Sequence, residues 1–584
     1  MIGGGDGPAL RDRGLIGDTA TAALVACDGT IDWWCPGRFD APATFFRLLD
    51  PAGGALRVGP AGVPRPGVQS YDRSTNVLRT RLPAPEGELE VTDFFAWRGQ
   101  RPSGRIVRLL HALRGRVEVE VDVVPGAAFG AARDVSTWST GIAFDGVAVH
   151  TGCAMDGRQG RLTLESGERA VVVVEAMDER RSEPVSVDGA LDMADRATTA
   201  WRSHLGPLTY GGPYRDDVER SLLVLKALTY GPSGAVVAAV TTSLPGRVGG
   251  ERNWDYRYAW LSDSSLAVEA THDAGLAEEA ETTRSWLLRT LAASGQGGFP
   301  LPPVYDVEGR PLDAHERELD LAGWRRSQPV RVGNAAADHL QLDFYADLLS
   351  GLGRAVLPGE AWGSLVAMAD WLAEAWRQPD RGIWEIRSEP RHLTSSKLAC
   401  WYSLERMVTL ARARDPLDLA QVPWRTASRE IAAWVEANGR AAGGGLRADP
   451  SPAEVADAHL VQVAGRSPWA GDQRLVAATV DRVISQLGSG PFVARYDERF
   501  SDGLPAGEGA LLATSFWTVE ALALLGRWEE AHERMEALCG FSRPLGLLAE
   551  QADPVTGDFL GNLPQTRSHL SLIRAALALA DGPR

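Results

Sequence analysis

The segment from residue 249 to residue 263 combines aromatic rings and carboxylates at the entry to a predicted helix. Tyr256 and Trp260 offer ring faces with polar tips, while Asp255 and Asp263 can accept hydrogen bonds from hydroxyl groups. A sugar needs this mixture, because its hydroxyl edges require acceptors and its C–H faces stack on aromatic rings. A buried aromatic cluster with helix-capping aspartates would use the same residue types, so this segment alone leaves both interpretations open.

Two further segments favour the sugar interpretation. They are Asp380-Arg-Gly-Ile-Trp-Glu-Ile-Arg387 and Gly546-Leu-Leu-Ala-Glu-Gln-Ala-Asp553. Together with the first segment they resemble the bacterial branch of glycoside hydrolase family 15, which contains glucoamylases, glucodextranases and trehalases. The resemblance runs almost end to end, and its other segments, in the family's order, are residues 16–42, 213–215, 329–335, 391–397 and 560–569.

Hydrolysis of a glycosidic bond usually requires two carboxyl groups, an acid that protonates the leaving oxygen and a partner that acts as nucleophile or base. The resemblance implies that Glu385 is the general acid, because Ile383-Trp384-Glu385 is similar to the family's acid motif, and that Glu550 is the general base. Trp384 would raise the pKa of the neighbouring carboxyl group by excluding water. The family inverts the anomeric carbon, so we expect the two carboxyl groups to lie about 6.5–9.5 Å apart across a pocket.

The resemblance also places Asp263 at the terminal sugar, with Tyr256 and Trp260 lining the same pocket. Here the sequence departs from its relatives, because the family usually reads Trp-Leu-Arg-Asp and this chain has Ser262 before the aspartate. An arginine offers up to five hydrogen-bond donors and a serine offers one, so we expect altered recognition of the sugar. Either the space is open, or a neighbouring basic residue, Arg257 or Arg325, fills the role.

Several other polar or aromatic residues lie in family-like segments and are candidates for the wall of the pocket, although each has an equally good interpretation as a structural residue. They are Trp324, Arg325, Asn334, Gln341, Asp343, Arg387, His392 and Lys397.

These residues must be positioned by two kinds of structure. Apolar and polar residues alternate in Val117–Val124, Gly160–Glu165 and Val171–Glu175, as in the strands of an antiparallel sandwich. After residue 195 the pattern becomes helical, and we predict twelve helices near 213–230, 263–274, 277–293, 335–351, 360–376, 396–413, 425–437, 454–463, 472–487, 508–525, 529–540 and 567–580.

Periodicity alone does not choose between a helical bundle, a solenoid and a double ring. The resemblance implies the double ring, an (α/α)6 barrel that follows an N-terminal antiparallel β-sandwich. We therefore predict a β-sandwich domain at residues 1–200, a linker with the first helix at 201–235, and a catalytic barrel at 236–584. The long Gly/Pro-rich connection between Gly295 and Val332 is predicted to be a functional loop.

The composition limits the classes of molecule that the protein is expected to bind. The formal net charge of −16 disfavours nucleic acid and membrane surfaces, and leaves a neutral carbohydrate unaffected. No basic run followed by an apolar core opens the sequence, and the five cysteines are scattered, so we expect a cytoplasmic protein with reduced thiols. Without a cysteine and histidine cluster we expect no metal, and hydrolysis by water needs no cofactor.

The leading interpretation is an inverting, exo-acting hydrolase of small α-linked glucosides such as trehalose, maltose or isomaltose. A phosphorylase is disfavoured, because a phosphate nucleophile needs no base and Glu550 would repel it. The alternative from another class is a repurposed barrel that binds or modifies a non-standard glycoside or other small molecule without ordinary glucosidase activity. Assembly into a homo-oligomer stays open.

Overall fold

The computed structural model describes residues 7–99, 101–176, 184–295, 298–313, 315–353, 359–414, 421–497 and 499–582. Its first part is built from seventeen strands. In chain order they are β1 Arg13–Gly17, β2 Ala22–Ala26, β3 Thr30–Trp34, β4 Ala55–Pro60, β5 Val68–Tyr71, β6 Leu78–Ala84, β7 Gly87–Arg98, β8 Arg101–Gly115, β9 Val117–Val124, β10 Gly126–Ala127, β11 Gly130–Ala131, β12 Val135–Trp138, β13 Gly141–Phe144, β14 Val147–His150, β15 Met155–Asp156, β16 Gln159–Leu164 and β17 Arg169–Ala176.

Fifteen of these strands form two large antiparallel sheets that pack against each other as a sandwich, and β10 and β11 pair separately. One sheet has the order β1-β2-β3-β4-β9-β16-β15, and the other has the order β12-β13-β14-β17-β8-β7-β6-β5. The alternation in Val117–Val124 is reproduced as burial, since every second residue of β9 is buried. By contrast, β1 to β3 are buried on both faces. The helical part covers one of those faces, and the indole of Trp33 donates a 2.7 Å hydrogen bond to the carbonyl of Val240.

Thirteen α-helices follow among the described residues. They are α1 Val187–Leu205, α2 Arg215–Leu228, α3 Leu261–Asp273, α4 Ala277–Gly295, α5 Phe344–Leu352, α6 Gly359–Ala375, α7 Thr394–Arg414, α8 Gln421–Asn438, α9 His459–Ala464, α10 Gln473–Leu487, α11 Leu512–Leu524, α12 Trp528–Phe541 and α13 Thr566–Ala580. Helix α1 packs on the eight-stranded sheet against β7, β8 and β17.

The remaining twelve helices form the predicted (α/α)6 barrel. Helices α3, α5, α7, α9, α11 and α13 each contact the next, and α13 returns to α3, so they close an inner ring. Helices α2, α4, α6, α8, α10 and α12 pack outside it. The sequence explains this division, because inner helices such as α11 are buried almost all round, whereas outer helices such as α10 bury one apolar stripe.

Short elements in the connections complete the barrel. The strands are β18 Thr229–Tyr230, β19 Ala235–Val236, β20 Ala259–Trp260, β21 Val304–Tyr305, β22 Arg317–Leu319, β23 Val330–Val332, β24 Gly488–Ser489, β25 Phe492–Val493, β26 Ala510–Leu511, β27 Gln551–Ala552 and β28 Phe559–Leu560. Three 3-10 helices lie at Leu10–Asp12, Trp324–Arg326 and Ala335–Asp338.

The division into domains at residues 200 and 235 stays a prediction; the sandwich strands end at Ala176 and the barrel helices begin at Arg215. The five cysteines are all buried and form no disulfide. Within the described residues, no helix combines the length and the apolar character that crossing a bilayer requires.

Candidate active site

A cavity opens at the end of the barrel where α3, α11 and α13 begin. The empty space within it, including the open solvent at its mouth, is about 890 Å³. The structure brings eight of the predicted site residues to its wall: Tyr256, Trp260, Asp263, Gln341, Trp384, Glu385, Arg387 and Glu550. Carboxyl groups and aromatic rings from segments far apart in sequence therefore share one pocket.

Glu385 lies in the connection between α6 and α7, and its position is fixed by two donors on one oxygen. The indole of Trp260 donates a 2.8 Å hydrogen bond to Oε1, and the amide of Gln341 donates a 3.2 Å hydrogen bond to the same atom. Among the described residues, no donor reaches Oε2. Burial raises the pKa of Glu385, and the hydrogen bond from Trp260 opposes that rise.

The backbone of Glu385 is in the left-handed region, with φ at 53°. A non-glycine residue holds this conformation only when its surroundings impose it, because the conformation costs about 1–2 kcal/mol. The backbone amide of Glu385 donates to the carbonyl of Gly382, which closes the tight turn that carries the carboxyl group into the cavity.

Glu550 is positioned by the hairpin of β27 and β28. It immediately precedes β27, and its backbone amide donates to the carbonyl of Asn562 at 3.0 Å. The phenol of Tyr256 donates a 3.0 Å hydrogen bond to Oε1, and the backbone amide of Asn562 donates a 3.3 Å hydrogen bond to Oε2. Burial raises the pKa of Glu550 to about 7, while these hydrogen bonds and the charge of Arg495 pull it down.

Gly561 lies opposite Glu550 in the same hairpin and permits this arrangement. Its φ is 69°, and a Cβ atom at this position would lie 2.4 Å from Oε2 of Glu550. Glycine is therefore required here both by the backbone conformation and by the close approach of the carboxyl group.

Trp384 forms an apolar part of the wall beside Glu385. The ring is buried, its centroid lies 6.1 Å from that of Trp517, and its indole donates a 2.8 Å hydrogen bond to Asp457. The polar tip of the indole is thus satisfied away from the cavity, and the ring excludes water from the neighbourhood of the carboxyl group.

Asp263 lies in the first turn of α3 and pairs with an arginine that the sequence analysis did not select. Arg567, in the first turn of α13, donates from Nε to Oδ1 of Asp263 at 2.8 Å and from Nη2 to the hydroxyl of Ser262 at 2.6 Å. All three residues line the cavity.

The family to which the chain belongs follows from its similarity to known proteins. A family model described as glycosyl hydrolases family 15 matches residues 212–538, and one described as trehalase-like, N-terminal, matches residues 2–152. The chain belongs to glycoside hydrolase family 15. It is thus a glycoside hydrolase, as the sequence predicts.

Relatives of this family-15 hydrolase match nearly its whole length. It is 32% identical over 611 residues to a trehalase of Mycolicibacterium smegmatis, which covers 98% of this chain and 91% of the relative. It is 31% identical over 586 residues to a trehalase of Thermoplasma acidophilum, and the alignment covers 96% of this chain and 98% of the relative. A crystal structure of a bacterial glucoamylase complexed with acarbose has the same fold, with a TM-score of 0.68 at 12% identity over 100% of this chain and 98% of that one.

Neither residue suggested as a replacement for the family arginine is the one that pairs with Asp263. Arg257 is buried and donates to both carboxylate oxygens of Asp255, at 2.9 and 2.7 Å, and to the carbonyl of Ala41 at 2.6 Å. Arg325 lies over the ring of Trp324, at 5.4 Å from its centroid. The guanidinium beside Asp263 in this hydrolase belongs to Arg567 instead.

The long connection between residues 295 and 332 reaches the site indirectly. Neither Trp324 nor Arg325 is among the residues that line the described cavity. Glu316, from the same connection, accepts two hydrogen bonds from Arg387, at 2.8 and 3.2 Å, and thereby orients a residue of the wall.

His392 and Lys397 also lie outside the wall of the described cavity. The ring of His392 packs near Trp434, with centroids 6.1 Å apart. The ammonium group of Lys397 is buried and donates to the carbonyls of Trp376 and Gln378, both at 2.5 Å. These contacts satisfy the end of α6, which is a structural role. A part in binding substrate stays a prediction for both residues.

The remaining polar candidates divide between the site and its support. Gln341 lines the cavity and contacts Glu385. Asn334 donates to the carbonyl of Asp255 at 3.2 Å and caps the 3-10 helix that follows it. Asp343 immediately precedes α5, and burial raises its pKa well above the usual range.

Sequence reasoning missed a charged cluster on the same wall. Arg252 donates to both oxygens of Asp502, at 2.5 and 3.0 Å, and Arg495 lies 3.9 Å from the same carboxylate. The guanidinium of Arg387 stacks over Trp254 at 4.3 Å. Arg252 and Trp254 could have been selected from the sequence, because both lie in the 249–263 segment. No motif marks Arg495 or Asp502.

Proposed function

We propose that this hydrolase cleaves the terminal bond of an α-linked glucoside with inversion, and that Glu385 is the general acid and Glu550 the general base. The observation that carries the proposal is that these two glutamates line one cavity together with Asp263. Trehalose is the first candidate substrate, because relatives named trehalases match nearly the whole chain.

The acid step uses the free oxygen of Glu385. Trp260 and Gln341 both hold Oε1, so a proton on Oε2 can be given to the leaving glycosidic oxygen as the bond to the anomeric carbon breaks. Burial raises the pKa of Glu385, which favours the protonated form that the acid step needs.

The base step uses Glu550. Its carboxylate removes a proton from a water molecule as the water oxygen attacks the anomeric carbon from the opposite face. A pKa of about 7 makes Glu550 a stronger base than an ordinary glutamate, and Tyr256 holds the carboxylate in one orientation. After turnover Glu385 is ionised and Glu550 is protonated, and exchange with solvent restores both groups.

The stereochemistry of the products tests the mechanism directly. Hydrolysis of trehalose with inversion releases one α-glucose and one β-glucose, and in ¹⁸O-labelled water only the β-anomer carries the label. We expect this result from proton NMR and mass spectrometry during the first turnovers, before the anomers interconvert. Formation of α-glucose alone would indicate a retaining mechanism.

A panel of trehalose, maltose and isomaltose tests the substrate. Preference for maltose or isomaltose would overturn trehalose while keeping the mechanism. Binding of glucosides without turnover of any of them would favour the repurposed barrel. A crystal structure with bound sugar would measure the carboxyl separation, which we predict to be about 6.5–9.5 Å.

A further inference from the structure

The guanidinium beside Asp263 belongs to Arg567, which lies in α13, 304 residues further along the chain. We propose that Arg567 is the specificity-determining arginine for the terminal sugar, and that it occupies from α13 the space that the family's usual arginine would occupy from the position of Ser262. This inference rests on the proposed function, since it concerns the sugar that the same cavity would hold.

The contacts of Arg567 are consistent with an arginine at position 567 that takes the place of one at position 262. Its side chain is only 11% exposed, and it donates to Ser262 and Asp263 through different nitrogens of one guanidinium group. Ser262 is small and buried, and its hydroxyl accepts the hydrogen bond from Nη2. A second guanidinium group at position 262 would compete with Arg567 for the same carboxylate and the same volume.

The location of Arg567 is unfavourable for the helix by itself. It is the second residue of α13, and a positive charge near a helix N-terminus opposes the helix dipole. Burial lowers the pKa of Arg567, but the acidic groups of Asp263, Asp347 and Asp343 outweigh this effect and raise it. An arginine at this position is therefore stabilised by these carboxyl groups, of which Asp263 lines the cavity, and not by the helix that carries it.

The pair leaves groups available to a ligand. Among the described residues, no partner reaches Nη1 of Arg567, and no donor reaches Oδ2 of Asp263. Adjacent hydroxyl groups on a pyranose ring match such a pair, because one hydroxyl can donate to the carboxylate while its neighbour accepts from the guanidinium. The chemical class that this pair would select is a terminal sugar with a vicinal diol.

The test moves the arginine from position 567 to position 262 in the whole chain. The variants are Arg567→Ala, Arg567→Lys, Ser262→Arg and the double variant Ser262→Arg/Arg567→Ala. Arg574→Lys is the matched control, because Arg574 lies two turns further along α13, is paired with Glu520 at 2.8 Å and is absent from the cavity wall. For each protein, kcat and KM are measured on trehalose and on its monodeoxy analogues, with the melting temperature as a check on folding.

We expect Arg567→Ala to lower kcat/KM on trehalose by at least about tenfold, the effect of one charged hydrogen bond. We expect a smaller loss on the analogue that lacks the hydroxyl group bound by Arg567. Lysine should not restore the wild-type preference, because one ammonium group cannot reproduce the two-pronged contact. Ser262→Arg alone should also lower activity, whereas the double variant should recover at least about tenfold over Arg567→Ala. Arg574→Lys should keep the wild-type preference.

Two results would overturn the inference while leaving the proposed function intact. One is an Arg567→Ala enzyme that discriminates among the deoxy analogues as the wild type does. The other is equal loss on all substrates, without recovery in the double variant, which would indicate a structural role. If the wild type hydrolyses no glucoside, the proposed function fails. The inference is then tested by calorimetric titration of glucose into the same variants: unchanged affinity in Arg567→Ala would overturn it, and weakened affinity that the double variant restores would support it.

Discussion

Tyr256 and Trp260 are in edge-to-face contact, with ring centroids 5.5 Å apart and an angle of 74° between the rings. Tyr256 donates to Glu550 and Trp260 donates to Glu385, so one short segment contacts both carboxyl groups. A change in either ring therefore affects the orientation and the pKa of one glutamate directly and of the other through packing.

Replacing either proposed catalytic glutamate by glutamine should abolish most turnover without unfolding the protein. Glu385→Gln and Glu550→Gln are each expected to lower kcat by about 10²–10⁴-fold, because the amide keeps the shape but cannot transfer the proton. Steady-state kinetics and the melting temperature measure this. Glu389→Gln is the control, since Glu389 is close in sequence and exposed. Near wild-type rates in either variant would remove that residue from the mechanism.

The acidic limb of the pH profile should follow Glu550. Its pKa is raised to about 7, so protonation removes the base as the pH falls, and kcat/KM should decrease roughly tenfold per pH unit well below that pKa. The hydrogen bond from Tyr256 favours the ionised carboxylate, so Tyr256→Phe should raise the pKa further and move this limb to higher pH. A shift to lower pH would contradict the assignment.

The alkaline limb should respond to Trp260 in the same direction. Its indole stabilises the ionised form of Glu385, which lowers the pKa of an acid that must stay protonated. Trp260→Phe removes that donor and keeps an aromatic ring, so the pKa of Glu385 should rise and the alkaline limb should move to higher pH. Profiles of kcat/KM against pH for both proteins decide this, and an unmoved alkaline limb would assign it to another group.

Gly561→Ala should impair catalysis far more than its backbone strain explains. The new Cβ atom would lie 2.4 Å from Oε2 of Glu550, and a displaced base can cost about 100-fold in kcat. Gly557→Ala is the matched control, because its φ is 71° but nothing lies within 4 Å of its Cβ position. Both variants should lose similar stability, about 1–2 kcal/mol, in chemical unfolding. Equal kcat values in the two variants would show that Glu550 tolerates the contact.

The helices were largely predictable because amphipathic periodicity and apolar runs are local signals. All twelve predicted runs overlap barrel helices, but several begin too early, and those at 335–351 and 454–463 do so by the most residues. The run predicted at 335–351 contains the separate 3-10 helix Ala335–Asp338 before α5, since the side chain of Asn334 caps that turn. The run predicted at 454–463 includes Asp457, whose carboxylate accepts the backbone amide of His459 just inside α9.

The site was only partly predictable because its pairs are distant in sequence. Family motifs led to both glutamates and to Asp263, but Arg567 contacts Asp263 across 304 residues. One local signal could have indicated it, since an arginine in the first turn of a helix opposes the helix dipole and suggests an acidic partner from elsewhere. The cytoplasmic location and assembly into a homo-oligomer stay predictions.

Arg257 joins the two halves of the molecule directly behind the active site. It follows Tyr256 in sequence. Its guanidinium donates a hydrogen bond to the carbonyl of Ala41 in the sandwich part and lies over the ring of Phe129, 5.3 Å from the ring centroid. The two parts are consequently poor modules for protein engineering. A chimera that joins this barrel to a foreign sandwich would need to recreate an acceptor and an aromatic ring at those two points. Otherwise Nη1 of a buried guanidinium would lose its carbonyl acceptor beside the residue that orients the base.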